Sequence, residues 1–377
     1  MAKQSKLTPS FAGQFLKNYR NAHRLTQEQF AYDLNIEPRT LRAYENGERH
    51  LNNINELRRI ADALAIEPEL LGVAAPLYVP KTPEEINDAV KRVWSLMDEP
   101  RVNEARSMIE KLARGTSKQL HSEDPELLQS LARVQHAAGY ITGMGTRSRE
   151  IALPIYYYQQ LEDIARTIHD DTWLNIALTY HGDMLRRSGD VRNAVAYLEA
   201  ARDIAPNADA SARGNALQLL GRTYLLSKDV KGFDRAMAEA EELAYQIDPN
   251  TDSTRGQYNL AAVYEEYGKS YGILGKPQKA LNYLARAEAA RPHTKFWEVL
   301  LNIARAEVLV YNGEVDTGLP LALEAAEISQ QQGHHRRLER IYGMKRYLSR
   351  KALEYAKAEE ELSDRLDGPI GRWDKIE

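Results

Sequence analysis

The sequence contains no cysteine. That absence excludes disulfides, thiol nucleophiles and cysteine-ligated zinc, and makes a reducing compartment the simplest expectation. No run of about 18 or more apolar residues occurs, and the first ten residues, MAKQSKLTPS, lack the apolar core of a secretory signal. A cytoplasmic protein with no membrane partner is therefore expected. Alternation of apolar and polar residues, the mark of a half-buried strand, is missing too, so the expected fold class is all-α. The scattered histidines have no i, i+4 partner that would make a metal site, and His334-His335 is expected to be solvated. Gly143-Met144-Gly145 resembles half of a phosphate-binding loop, but no strand precedes it and no lysine follows at the needed spacing. No nucleophile is accompanied by a base and an orienting acid at recognisable spacing. The expectation is no enzyme, no catalytic residue, no metal and no cofactor.

What is present is helical periodicity over 377 residues, more than one compact core accommodates. The net charge of −4 is unevenly spread. Residues 1–50 hold eight Lys or Arg against five acids, a local +3, which leaves −7 for the remainder. A small basic head on a larger acidic body suits one module that binds nucleic acid and a body that repels it.

Within the head, residues 25–47 read LTQEQFAYDLNIEPRTLRAYENG. Thr26 stands before an apolar-periodic run with Gln29 three residues on, a capping box that starts a helix near Gln27. After the turn Asn35-Ile36-Glu37, Pro38 fits the first position of a second helix, which ends at Asn46-Gly47. Leu41 and Tyr44 share one face of that helix, and Arg39, Thr40, Arg42 and Ala43 lie on the others. Two helices joined by a short turn, with arginines on the second, suit insertion into the major groove of double-stranded DNA.

Leu25-Thr26-Gln27-Glu28-Gln29-Phe30-Ala31, Ile36, Leu41 and Tyr44-Glu45-Asn46-Gly47 resemble the helix-turn-helix of the phage-repressor (XRE) family over about sixty residues. Phe11, Phe15, Leu16 and Tyr19 form the preceding helix; Leu57, Ile60, Leu64 and Leu70 with Leu71 form the two that close a five-helix bundle. The resemblance implies that Arg39 and Arg42 face base edges, that Gln27, Thr40 and Asn46 hold phosphate, and that Arg20 and Glu45 pair between the first and third helices. Pro38 and Ala43 complete the DNA-facing set, with Pro38 standing where the family often has a polar base-reading residue.

Three domain segments follow: a DNA-binding domain at 1–72, a linker at 73–82 with three prolines across 76–83, and a repeat domain at 83–377 whose first helix Thr82, Pro83 and Glu85 start. Gly182 is followed by Ala194, Ala201 and Pro206; Gly268 is followed at identical offsets by Ala280, Ala287 and Pro292. Gly221 with Tyr224, Met237 and Ala240, and Ala306 with Gly318, Ala322 and Ala325, give two further copies, spaced 39, 47 and 38 residues along the chain. Small residues where paired helices cross and large ones between pairs resemble the tetratricopeptide repeat, in copies longer than its ~34-residue standard. Two degenerate pairs are expected earlier, at 84–97 with 102–114 and 126–141 with 149–168, and a polar capping pair at 335–366.

In such an α-solenoid the first helix of each pair lines the concave side. Asn175, Thr179, Asp183, Arg186, Asn215, Gln218, Arg222, Glu265, Lys269, Asn302 and Glu307 are the candidate ligand-binding residues, because amides and charges can grip an extended backbone. The twenty-one tyrosines, Tyr156-Tyr157-Tyr158 among them, are expected mainly as knobs between helices. A repressor-type head on a tetratricopeptide body resembles the peptide-sensing transcription regulators of Gram-positive bacteria. That resemblance implies a homodimeric, sequence-specific DNA-binding regulator with a peptide or protein ligand in its groove. The alternative is an adaptor whose repeats hold a protein and whose head only docks.

Overall fold

Capping chemistry starts most of the helices in the computed structural model, which describes residues 8–366 apart from 65, 67, 74–79, 100, 149, 205–206, 249 and 291–294. Every element among these residues is helical, and the chain divides into two units, Met1–Tyr78 and Val79–Glu377. Most of the expected linker, together with Pro206 and Pro292, lies outside the described residues.

The first unit contains α1 (Phe11–Ala22), α2 (Gln27–Asp33), α3 (Pro38–Asn46) and α4 (Ile54–Ala63). Thr26 accepts from the Gln29 backbone while the Gln29 side chain accepts from the Thr26 N–H, so the capping box is closed on both sides. Pro38 opens α3, and Gly47 ends it in the left-handed region at φ 78°. Leu16, Phe30, Leu34, Leu41, Tyr44, Ile60 and Leu71 make the core. The expected fifth helix is instead a single 3-10 turn, Pro68–Leu71. Pro68 begins it and Gly72 follows at φ 81°, which leaves room for only one turn. It buries Leu71 and leaves Leu70 exposed; Phe11 is exposed as well.

The second unit is a run of antiparallel helix pairs: α5 (Pro83–Asp98) with α6 (Val102–Thr116), α7 (Pro125–Gly145) with α8 (Ala152–Thr167), α9 (Asp171–Ser188) with α10 (Val191–Asp203), α11 (Ala210–Leu226) with α12 (Val230–Ala244), α13 (Leu260–Ile273) with α14 (Pro277–Ala289), and α15 (Lys295–Tyr311) with α16 (Val315–Gln331). Thr82 and Glu85 form the second closed capping box. Asp170, Asp190, Asp209, Asp229 and Asn259 each cap the following helix by accepting from a backbone N–H of its first turn.

First helices pack side by side, α9 on α11, α11 on α13 and α13 on α15, so they form the inner layer of an α-solenoid. Gly143-Met144-Gly145 lies in the last turn of α7 rather than in a loop. The expected capping pair is one 32-residue helix, α17 (His335–Leu366), because no glycine or proline after Gly343 interrupts it. It packs on α15 and α16 and also reaches α7, so the last element touches one of the first and the solenoid closes into a ring.

The repeat pattern has a physical basis at each crossing. A Cβ on Gly268 would lie 2.6 Å from Leu284 Cδ2 and 3.2 Å from the Ala280 carbonyl oxygen; on Gly182 it would lie 2.8 Å from Leu198 Cγ. Gly268→Ala is expected to gain up to about 1 kcal/mol of helix propensity but lose about 1–3 kcal/mol to overpacking, since the Ala280 backbone cannot yield. A net fall in Tm of a few degrees in a thermal melt checks this; an unchanged or raised Tm would contradict it.

Candidate functional site

Two sites were expected, a DNA-facing surface on the first unit and a groove in the second. On the first, Arg20 and Glu45 form a two-pronged pair between α1 and α3, Nε to Oε1 at 2.6 Å and Nη2 to Oε2 at 3.0 Å. Glu45 is buried, and its hydrogen bonds hold Arg20 above its ordinary pKa, outweighing burial. Gln27 continues the chain: its Nε2 donates to Glu45 at 2.8 Å, and its Oε1 accepts from Arg42 Nε at 3.1 Å. The amide of Gln27 is thus engaged on both sides, and it aims Arg42 outward. Arg39, Arg42, Pro38 and Asn46 are exposed, Thr40 and Ala43 are half-buried, and Asn46 donates to Glu48 at 3.4 Å. The exposed face of α3 therefore carries two guanidinium groups, Arg42 held in place and Arg39 with no partner among the described residues.

The second unit holds a cavity of about 1210 Å³ that opens to solvent. Asp183, Arg186, Asn215, Gln218, Arg222, Glu265, Lys269 and Glu307 line it, which brings together eight of the eleven candidate groove residues. The other three are corrections. Asn175 is fully buried and donates to the Ala201 carbonyl of α10 at 2.8 Å, and Thr179 is buried beside it, its hydroxyl 3.4 Å from Asn175 Oδ1. Asn175, Thr179 and Gly182 fall at i, i+4 and i+7, so they share the face pressed against α10. Asn302, half-buried on α15, is not among the residues that line the cavity. Four of the expected residues that do line it, Asp183, Arg222, Lys269 and Glu307, each stand immediately after the small residue of a crossing.

Opposite charges pair across this wall. Arg186 grips Asp183 Oδ1 at 2.6 and 3.0 Å, Arg222 pairs with Glu266, Lys269 reaches Glu266 at 2.9 Å and Glu265 at 3.4 Å, and Arg340 holds Glu307 at 2.7 and 3.0 Å. Burial alone would raise the Asp183 and Glu266 carboxyls. Their cationic neighbours, Arg186 and Arg336 for the first and Arg222 and Lys269 for the second, hold both well below the usual carboxylate range.

Several lining residues were not anticipated. Arg336, Arg337, Glu339 and Arg340 come from α17, Arg187 and Tyr180 from α9, and Tyr140 from α7. Ring closure places them. The Ser148 N–H donates to Glu339 Oε1 at 2.7 Å, Arg336 lies 3.7 Å from Asp183 Oδ2, and Tyr140 donates to Gln257, while Arg255 stacks over Trp94 at 5.3 Å. His334, expected in solvent, is buried among arginines; burial first, then Arg337 and Arg336, holds its pKa well below the usual value, so it is neutral. The run HHRRLER at 334–340 was the available signal, a dense basic cluster at a helix start, and it suggested only a polar cap. Of the three adjacent tyrosines, Tyr157 and Tyr158 are buried knobs and Tyr156 is exposed.

Residues 12–72 match the family described as a helix-turn-helix domain. The first unit is a helix-turn-helix domain. No curated protein matches the chain. Among solved structures, the apo competence regulator ComR from Streptococcus vestibularis is similar at 18% identity and a TM-score of 0.35, over 80% of this chain and 98% of that one. PlcR from Bacillus thuringiensis, solved in complex with the peptide PapR7 and DNA, is similar at 14% identity and a TM-score of 0.35, over 78% of this chain and 99% of that one. A kinesin light chain with tetratricopeptide-like repeats from Podosopora anserina is similar at 18% identity and a TM-score of 0.38, over 56% of this chain and 96% of that one. Among the described residues, no helix is long and apolar enough to cross a membrane.

Proposed function

We propose that this chain is a cytoplasmic, homodimeric, sequence-specific transcription regulator whose repeat domain takes a peptide or protein ligand into its central cavity. The observation that carries the DNA half is the relay Arg20–Glu45–Gln27–Arg42, which spends one buried carboxylate and one amide to present Arg42 beside Arg39 on the exposed face of α3. A guanidinium held in a plane is the group that reads guanine O6 and N7 in the major groove. The ligand half rests on a cavity whose wall mixes amides, charges and apolar side chains.

Two heads on a dimer bind together when their separation matches half-sites one helical turn apart, about 34–36 Å. A ligand changes that separation only as far as it binds one form of the ring better than another. Sequencing the genomic fragments retained by the full chain, with and without a cell peptide extract, tests both halves. Expected are a recurrent two-fold motif with half-sites about 10 bp apart and an occupancy that changes with the extract. Fragments retained without any common motif, or one protein partner captured with no enriched DNA, would overturn the regulator and favour an adaptor.

A further inference from the structure

The pairing inside the cavity does not balance. Nine basic side chains line it against six acidic ones, a wall of net +3 inside a chain of net −4. The excess gathers at the seam where the start of α17 meets the end of α9. Arg187 donates to three neutral acceptors, the Gly143 carbonyl at 2.7 Å, the Thr146 carbonyl at 3.3 Å and the Met184 sulfur at 3.5 Å, and among the described residues no carboxylate lies within ion-pair distance of it. Burial, then Arg336, lowers its pKa to about 10. Arg336 and Arg337 stand in the first turn of α17, where the helix dipole is itself positive and cations are disfavoured. The two acids of the seam are already engaged, Asp183 by Arg186 and Glu339 by both the N–H and the hydroxyl of Ser148.

Arg337 is buried, and Arg187 and Arg336 are half-buried beside it; a cluster of like charge at the positive end of a helix is the electrostatic complement of an anion. A second observation lies in the same wall. Gln218 is 7% exposed, and its Oε1 has no hydrogen-bond donor among the described residues. An unmet buried acceptor is costly, and a ligand N–H would satisfy it. Met144, Leu219, Trp297 and Leu300 give the same cavity apolar surface. Inorganic phosphate would use the arginines and leave both the amide and this surface unmatched, whereas a peptide uses all three.

We infer that the ligand is a short peptide of net negative charge, with one carboxylate seated between Arg187 of α9 and Arg336 of α17. This rests on the proposal that the cavity takes a peptide and adds its charge and anchor. The carboxylate ties α9 to α17, the seam that Arg336 and Asp183 already bridge.

The test uses the full chain and two random heptapeptide pools, one with acidic residues and free carboxyl termini, the other with no acidic residue and amidated termini. Peptides retained on ultrafiltration are identified by mass spectrometry. Retention from the first pool is expected to exceed that from the second by at least about ten-fold, and Arg336→Gln to reduce it by about ten-fold. Arg336 makes only a long pair with Asp183, so this variant keeps the fold, as circular dichroism would show. Arg187→Gln is the second variant. Equal retention from both pools, or retention unchanged in both variants, would overturn the carboxylate seat and leave the peptide proposal standing. No peptide from either pool would overturn both.

Discussion

Replacing both Arg39 and Arg42 by Ala is expected to abolish sequence-specific DNA binding while leaving the protein folded. Each bidentate base contact is worth about 1–3 kcal/mol of discrimination, so the pair is worth about 2–6 kcal/mol, or about 30-fold to 10⁴-fold in affinity for the recovered motif. Both side chains are exposed, and truncating exposed side chains shifts stability by no more than about 0.5 kcal/mol. Fluorescence anisotropy against the recovered motif and an unrelated duplex separates the two effects. The double variant should bind both duplexes alike, at the weak affinity set by phosphate contacts. Gln27→Ala is the companion case: it keeps both arginines but frees Arg42 from its tether, and a smaller loss of about ten-fold is expected. Unchanged discrimination in the double variant would sink the assignment of α3 as the reading helix.

How legible these sites were depends on the range of the interaction. The capping boxes at Thr26 and Thr82, the proline at the start of α3 and the glycine at its end are set by residues within four positions of each other, and each is a local signal. Helix crossings are the next range: Gly182 against Leu198 and Gly268 against Leu284 are contacts between neighbouring elements, and a repeated spacing discloses them. Asn175 and Thr179 show where the approach failed. They stand on the expected helix but at i and i+4 to the crossing glycine's i+7, so periodicity counted from Gly182 turns them toward α10. The ring itself was not legible. Ser148 and Glu339 meet across 191 residues, and nothing near either one in sequence announces the other. The charges of the inner row were visible as residues, and their pairs lie within one helix or between neighbouring ones, but the contact of Arg336 with Asp183 depends on closure.

Asp183→Asn is expected to be among the most damaging single changes in the repeat domain. The substitution keeps the shape of the side chain and removes the charge that neutralises Arg186 and meets Arg336. Deleting one partner of a buried pair leaves the other uncompensated, at about 3–5 kcal/mol. For a domain of this size that corresponds to a fall in Tm of roughly 5–15 °C, read by scanning calorimetry. The pH dependence supplies an independent check with a definite sign. Asp183 has a folded pKa well below its unfolded value, as Glu266 has. Each therefore contributes stability that is fully present above the ordinary carboxylate value of about 4 and is lost as pH falls toward the folded value. Acid unfolding of the wild-type chain should steepen below about pH 4, and the Asp183→Asn variant should take up one proton fewer and show a shallower acid limb. Because Asp183 is also where α17 meets α9, the variant should loosen the seam and expose its arginines together. An unchanged Tm with an unchanged acid limb would show that the ring does not depend on this carboxylate.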